Sequence, residues 1–197
     1  MLLWGLSFGA AVSACTAAVD RRAKGLVMVA PIFHFVKPEK RESAFALLIR
    51  DRQSQLRGNP PLEVPPYDNK GENLIGMGGS GGPGGMEGYT LTKQAIERGA
   101  PNFRDRITLQ TYHKLAMFRP VELLEMVQGV PVLMIIPELD DLSTPAEQRE
   151  AFERFQTPKR MYFAKGKRHL TVLSGEGSEE VLETTAEFYK EALEGTI

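Results

Sequence analysis

The chain is poor in residues that staple, ligate or steer. Of its 197 residues, one is cysteine (Cys15), three are histidine and one is tryptophan. A single thiol cannot close an internal disulfide, which excludes a small disulfide-framed secreted fold. The three histidines, His34, His113 and His169, show no metal-site spacing, and no cofactor motif is present, so no cofactor and no metal is expected. Neither sign of charge dominates: 24 Lys and Arg stand against 25 Asp and Glu, for a net charge of −1. That balance removes the basic face that a nucleic acid or an anionic membrane would select, so neither is an expected partner. Beyond the N-terminus, no stretch approaches the ~20 apolar residues of a membrane span. What remains is ordinary globular composition, 42% hydrophobic and 25% charged, enough for one domain with a real core or a domain plus a small lid.

Residues 1–19 carry no charged side chain, and Val12-Ser13-Ala14-Cys15 resembles a lipoprotein cleavage site. This offers one reading, a lipid-anchored surface protein through Cys15. Against it, the positively charged start of a signal peptide is missing, and Trp4, Gly5, Ser7 and Gly9 interrupt the apolar run. Among its alanine neighbours, Cys15 reads as a small buried apolar residue. A cytoplasmic location fits the remaining features.

Four apolar runs predict strands: residues 2–4, 25–30 (GLVMVA), 130–136 (VPVLMII) and 160–164 (RMYFA). Each is short and bounded by Gly, Pro or charge, and the third is continuous, as for a strand buried on both faces. Helices are expected between them. Residues 8–22 are rich in small side chains, which let a helix press close to a sheet. Residues 145–155 follow Thr144-Pro145, an N-cap and first-position proline, with Ala151, Phe152 and Phe155 on one face. Residues 178–193 read as an amphipathic helix capped by Ser178. Alternating strands and helices predict an α/β fold with a parallel sheet of about four strands. The middle differs. Basic amphipathic helical stretches near residues 39–56 and 106–128 flank a Pro/Gly-rich segment, expected as loop. The chain therefore divides into core 1–32, an inserted lid 33–129 and core 130–197.

Gly5-Leu6-Ser7-Phe8-Gly9 matches G-x-S-x-G. That pattern has meaning where the serine sits on a sharp turn between a buried strand and a helix. Here an apolar run precedes it and a small-residue helix follows. Gly78-Gly79-Ser80-Gly81-Gly82 also matches but lacks both neighbours, so Ser80 is read as a decoy. A serine nucleophile needs a base, and the base needs an orienting acid. In this arrangement the chain order is serine, acid, histidine. His169 follows the fourth strand, where the base belongs, whereas His113 falls in a helical stretch and His34 follows Pro31-Ile32-Phe33. The third strand leads into Pro137-Glu138-Leu139-Asp140-Asp141, which offers Asp140 or Asp141 as the acid. Phe8, directly after the serine, is the candidate oxyanion-hole donor through its backbone N–H. Trp4, Phe33 and His34 are candidates for contact with a small acyl substrate. Phe35, Tyr67, Tyr89 and Phe118 could line the lid or simply pack.

Several segments resemble a known family. LLWGLSFGAAVSACTAAVDRRAKGLVMVAPIF is similar to the elbow, helix and next strand of fungal α/β-hydrolases related to dienelactone hydrolases, and most of all to the polyketide transferase family. FRDRITLQTYHKLAMFRPVELL resembles that family's return from lid to core, and VPVLMIIPELDDLSTPAEQ and KGKRHLTVLSGE its acid and base segments. The resemblance implies Ser7 as nucleophile, Asp140 as acid and His169 as base, in an enzyme that cleaves or transfers an acyl group. It also implies that this chain matches the C-terminal part of an α/β-hydrolase fold. Family members carry a further N-terminal segment whose loop supplies the second oxyanion donor, and loss of such a donor costs ~10²–10³ in rate. The competing expectation is therefore a non-catalytic remnant or interaction protein. Self-association as a homodimer is compatible with the sequence.

Overall fold

The apolar runs pair in parallel. A computed structural model describes residues 1–100 and 102–197; residue 101, within the expected insertion, lies outside the described residues. In chain order the elements are β1 (Leu2–Leu6), α1 (Phe8–Val19), β2 (Gly25–Val29), α2 (Arg41–Leu56), β3 (Glu63–Val64), α3 (Pro83–Glu97), β4 (Ile107–Thr108), α4 (Leu109–Met117), β5 (Val132–Pro137), α5 (Pro145–Glu153), β6 (Lys159–Ala164) and α6 (Ser178–Glu194). They form two compact units, one joining Met1–Phe33 to Arg119–Ile197, the other comprising His34–Phe118.

The first unit is an α/β layer structure around a four-stranded parallel sheet of order β1-β2-β5-β6. The two inner strands, β2 and β5, are buried at every position, which accounts for their unbroken apolar sequence. α1 lies against β1 and β2 through Ala10, Ala11, Ala14, Ala17 and Ala18, all buried. The other face packs α6 through Val181 and Phe188 against Val27, Val29, Leu133 and Ile135. The segment Pro120–Met126, expected within the insertion, is a 3-10 helix in this unit and packs on α1. The single helix expected over 106–128 is thus two pieces. They part at Phe118-Arg119-Pro120, where α4 has ended and proline opens the next turn.

The start of α6 also differs from expectation. Gly177, in the left-handed conformation at φ 76°, is its N-cap, and the Ser178 hydroxyl donates backward to the Gly175 carbonyl. By contrast, Thr144 caps α5 in a reciprocal box with Glu147, each side chain taking up the other residue's backbone N–H.

The second unit holds α2, α3, α4 and the short antiparallel pair β3–β4. Its core joins Ala44, Leu48, Ile75, Leu109, Tyr112 and Ala116. Buried Asn73 ties its irregular segments together. Its amide donates to the Pro66 carbonyl at 2.8 Å and to Tyr112 Oη at 2.9 Å, and its oxygen accepts from the Ile75 and Met77 N–H groups. Part of the Gly-rich segment expected as loop is instead the first turns of α3. A Cβ on Gly85 would stand 2.0 Å from the Gly71 carbonyl oxygen, and one on Gly88 would stand 2.7 Å from the Tyr67 ring. Glycine lowers helix propensity, but here it allows close approach of backbone and ring, and Pro83 at the first helical position starts the helix.

A similar close approach governs the first turn of α1. A Cβ on Gly5 would lie 2.3 Å from the Gly9 carbonyl oxygen, whereas a Cβ on Gly9 would meet nothing within 4 Å. Only the first of the two flanking glycines is therefore required by space. Gly5→Ala is expected to destabilise the chain by at least about 1–3 kcal/mol, since backbone cannot yield as a side chain would. Gly9→Ala is expected to be neutral, or to stabilise by about 0.5–1 kcal/mol through helix propensity. Thermal denaturation of the two variants beside the parent checks this; equal losses would refute it.

Candidate active site

β1 ends at Leu6 and α1 begins at Phe8, so the chain must reverse at Ser7 alone. Ser7 does so with φ 58° and ψ −123°, a conformation few non-glycine residues adopt. Strain of this kind costs about 1–3 kcal/mol and persists only where the surroundings hold it. Both backbone groups of Ser7 are held. Its N–H donates to the Val29 carbonyl at 2.9 Å, and its carbonyl accepts from the Ala10 and Ile32 N–H groups. The turn directs the half-buried Ser7 hydroxyl toward His169, with 2.8 Å between Oγ and Nε2.

His169 stands in a 3-10 turn after β6 and is 1% exposed. Its Nδ1 lies 2.8 Å from Asp140 Oδ2. With Nδ1–H donating to the carboxylate, Nε2 is left to accept the serine proton. The carboxylate bonded to His169 is that of Asp140, the first of the two neighbouring aspartates. Asp140 Oδ1 accepts from the Leu142 and Ser143 N–H groups, each at 3.0 Å, and Oδ2 also accepts from Gln148 Nε2 at 2.9 Å. The side chain is wholly buried. A buried carboxylate is tolerable only when its oxygens are this well supplied with donors.

The loops carrying Asp140 and His169 are fastened to each other. Glu138 N–H donates to the Ala164 carbonyl and Leu139 N–H to that of Lys167. The Glu138 carboxylate accepts from Gly166 N–H at 2.7 Å, and buried Lys167 reaches the Ser174 carbonyl at 2.7 Å. Because β1, β5 and β6 are parallel, Ser7, Asp140 and His169 all leave the same edge of the sheet, the carboxyl end where α/β folds gather reactive groups.

The other sequence candidates lie as follows. Phe8 is the first residue of α1, with its ring exposed. Trp4 lies within β1, opposite Val27 on the sheet face that α6 covers, and is 44% exposed. Phe33 is buried at the end of the first unit; His34, exposed, opens the second. His113 is exposed on α4 and lines a cavity of about 310 Å³ within the second unit, beside Phe45, Leu48 and Leu109. Phe35 and Phe118 pack as tilted rings 5.8 Å apart. The Tyr67 hydroxyl donates to the Gly78 carbonyl, and its burial pushes the phenol up to about 12. Tyr89 carries Lys93 over its ring. Ser80 bonds to Glu72 and Asn73. Cys15 sits midway along α1, its thiol pushed up by burial, and lipidation there would require cleavage inside a packed helix. Among the described residues, no group of three or more His, Cys, Asp and Glu is placed to hold a metal, and no helix is long and apolar enough to cross a membrane.

Gln148 was not singled out by its sequence. The available signal was its position: it shares the face of Ala151, Phe152 and Phe155 at i, i+3, i+4 and i+7, a lone polar residue on an apolar stripe.

No protein-family model matches the chain. It is 36% identical over 194 residues to "Polyketide transferase ATR5" of Stachybotrys chlorohalonatus, covering 98% of this chain and 64% of that protein. It is 39% identical over 188 residues to a "Thiohydrolase" of Eupenicillium brefeldianum, covering 95% and 60%. Among solved structures, DcsB in complex with its substrate analogue superposes with a TM-score of 0.91 at 61% identity, over 96% of this chain and 64% of that one. The α/β hydrolase GrgF from Penicillium sp. superposes with a TM-score of 0.77 at 30% identity, over 97% and 63%. The chain thus spans somewhat under two thirds of the length of these relatives. The parallel sheet, the reversal at Ser7 and this similarity in sequence and structure together place the chain in the α/β-hydrolase superfamily, with fungal polyketide transferases and thiohydrolases among its relatives.

Proposed function

We propose that the chain carries a serine-nucleophile acyl-transfer site, cleaving or transferring an ester, thioester or lactone acyl group, with Ser7 as nucleophile, His169 as general base and Asp140 as the acid that orients it. The observation supporting this reading is the continuous hydrogen-bonded line from Ser7 Oγ through His169 to Asp140, 2.8 Å at each step. Serine alone is a poor nucleophile, and a base within 2.6–3.2 Å is the geometry that general-base activation requires.

In the proposed reaction, Ser7 Oγ adds to the acyl carbonyl carbon as its proton passes to His169 Nε2. The negative charge on the carbonyl oxygen accepts a hydrogen bond from the backbone N–H of Phe8, at the positive end of α1. The bond to the leaving oxygen or sulfur breaks, and His169 returns its proton to that atom. Water or another hydroxyl compound then attacks the Ser7 ester with His169 again as base, releasing an acid or a new ester and restoring the serine. Asp140 remains ionised and holds the imidazole in the required tautomer. The names of the two curated relatives, a thiohydrolase and a polyketide transferase, bring thioesters and polyketide acyl groups into the proposal. The proposed setting is a cytoplasmic step of fungal secondary metabolism.

A second reading has its own observation. β1 has a strand partner on one side only among the described residues, and Leu2, Trp4 and Phe8 are exposed beside it. An open apolar edge favours self-association. This reading is an interaction protein that pairs as a homodimer, and sedimentation velocity of the chain distinguishes monomer from dimer.

A fluorophosphonate probe is expected to label the parent chain on Ser7, with Ser7→Ala unlabelled. Equal labelling of both, or none of the parent, would end the acyl-transfer reading. Asp140→Asn is expected to lower kcat by about 10⁴, as loss of the orienting carboxylate does in serine enzymes. Asp141→Asn should keep the parent rate. Steady-state hydrolysis of a short p-nitrophenyl or thiol ester reads both, and the reverse order would move the acid to Asp141.

A further inference from the structure

Gln148 sits behind the proposed acid, and its inferred role rests on the reading of Ser7, His169 and Asp140 just given. We infer that Gln148 is a positioning residue: its side-chain amide fixes the Asp140 carboxylate and, through it, the ring of His169. Gln148 is 0% exposed. Its Nε2 donates to Asp140 Oδ2 at 2.9 Å and to the Ser143 carbonyl at 2.6 Å. Both partners are pure acceptors, so only the amide nitrogen can face them, and its two protons are both used. Turned over, the amide would set its oxygen against a carboxylate and a carbonyl.

The consequence falls on Oδ2. That oxygen serves two donors, Gln148 Nε2 and His169 Nδ1, while Oδ1 is held by the Leu142 and Ser143 N–H groups. Four donors fill the four lone-pair positions of the carboxylate. Without Gln148, Oδ2 keeps a single partner, and that partner is the ring it must orient. Gln148 also links carboxylate and acid loop directly, since the same nitrogen holds the Ser143 carbonyl. Its position is set by the helix start: the Gln148 N–H bonds the Thr144 carbonyl within the capped first turn of α5.

Packing alone does not explain a glutamine here. Its Oε1 is buried with no hydrogen-bond partner among the described residues. An unpaired buried oxygen is unfavourable, and methionine of similar length would fill the space without it. What the amide adds is its two donors.

The test uses the full chain with Gln148→Met, which keeps the length and removes the donors, and Gln148→Glu, which keeps the shape and replaces the donor with an acceptor. The proton on His169 Nδ1 is expected as a low-field ¹H resonance in the parent, absent in Asp140→Ala, and shifted or broadened by solvent exchange in both Gln148 variants. In ester hydrolysis, kcat is expected to fall about tenfold or more, with KM within about twofold, because a slightly misaimed base penalises the transition state rather than binding. Placed on Asp140→Asn, Gln148→Met should cost nothing further, since it acts through the carboxylate; additive losses would mark a merely structural role. If Gln148→Met lacks a cooperative melt, Gln148→Glu alone decides. A parent without the low-field resonance, or an unchanged resonance and kcat in both variants, overturns the inference. Labelling that survives Ser7→Ala overturns the acyl-transfer reading instead, and the resonance still tests Gln148.

Discussion

The close contact between β1 and the first turn of α1 is the constraint on which the rest of this structure depends. With the Gly5 α-carbon facing the Gly9 carbonyl, the helix axis comes nearer to the strand end than any side chain would allow. The five buried alanines of α1 continue that closeness along the sheet. The connection between strand and helix is thereby cut to one residue, and Ser7 must take up the whole reversal. Its unusual backbone conformation follows from a packing requirement that begins at a glycine two residues earlier. The hydrogen bonds to Val29, Ala10 and Ile32 are what make it persist.

A fixed serine is useful only if its partners are fixed to comparable precision, and here that depends on two loops rather than on strands. Loops are ordinarily the mobile parts of a fold. The loops of Asp140 and His169 escape this because each supplies the other's backbone with partners: Glu138 and Leu139 donate to Ala164 and Lys167, and the Glu138 carboxylate receives Gly166. Asp140 then sits in a shell of donors with no water-facing side. Burying a carboxylate so completely is unfavourable unless donors replace the lost hydration. The same saturation leaves the carboxylate a single direction in which to meet His169.

Much of this is legible in the amino-acid sequence. Apolar runs bounded by Gly, Pro and charge mark β1, β2, β5 and β6, most plainly β2 and β5, because inner parallel strands have no polar face to confuse the pattern. Strand ends and chain order mark Ser7, the Asp140/Asp141 pair and His169 as candidates, and the parallel pairing of the strands brings them to one end of the sheet. Other features were hidden because they depend on contacts distant in sequence. The start of α3 read as loop, since glycine is a poor helix former until Gly71 and Tyr67 are known to press against it. Residues 120–126 read as part of the insertion because nothing local says that they pack on α1. The choice between Asp140 and Asp141 needed the backbone of the turn, which decides which of two identical side chains faces the histidine. Gln148 was visible only as a polar residue out of place on an apolar stripe.

The chain also contains its own comparison for the proposed nucleophile, because the five-residue pattern occurs twice. Around Ser80 the glycines absorb the unusual conformations: Gly78, Gly79 and Gly81 have positive φ and the serine does not. Around Ser7 the reverse holds, with the strain on the serine and none on Gly5 or Gly9. The partners differ in kind as well. The Ser80 hydroxyl donates to the Glu72 carboxylate, whose hydrogen bond from Lys40, with that of Ser80 itself, holds it below the usual carboxylate range. A carboxylate so stabilised as an anion has little affinity for a serine proton. The Ser7 hydroxyl meets an imidazole backed by a buried carboxylate, which in the proposed reaction would be the counter-ion of the protonated ring. The motif is common to both serines; the parallel sheet strand before it and the histidine beyond it belong to Ser7 alone.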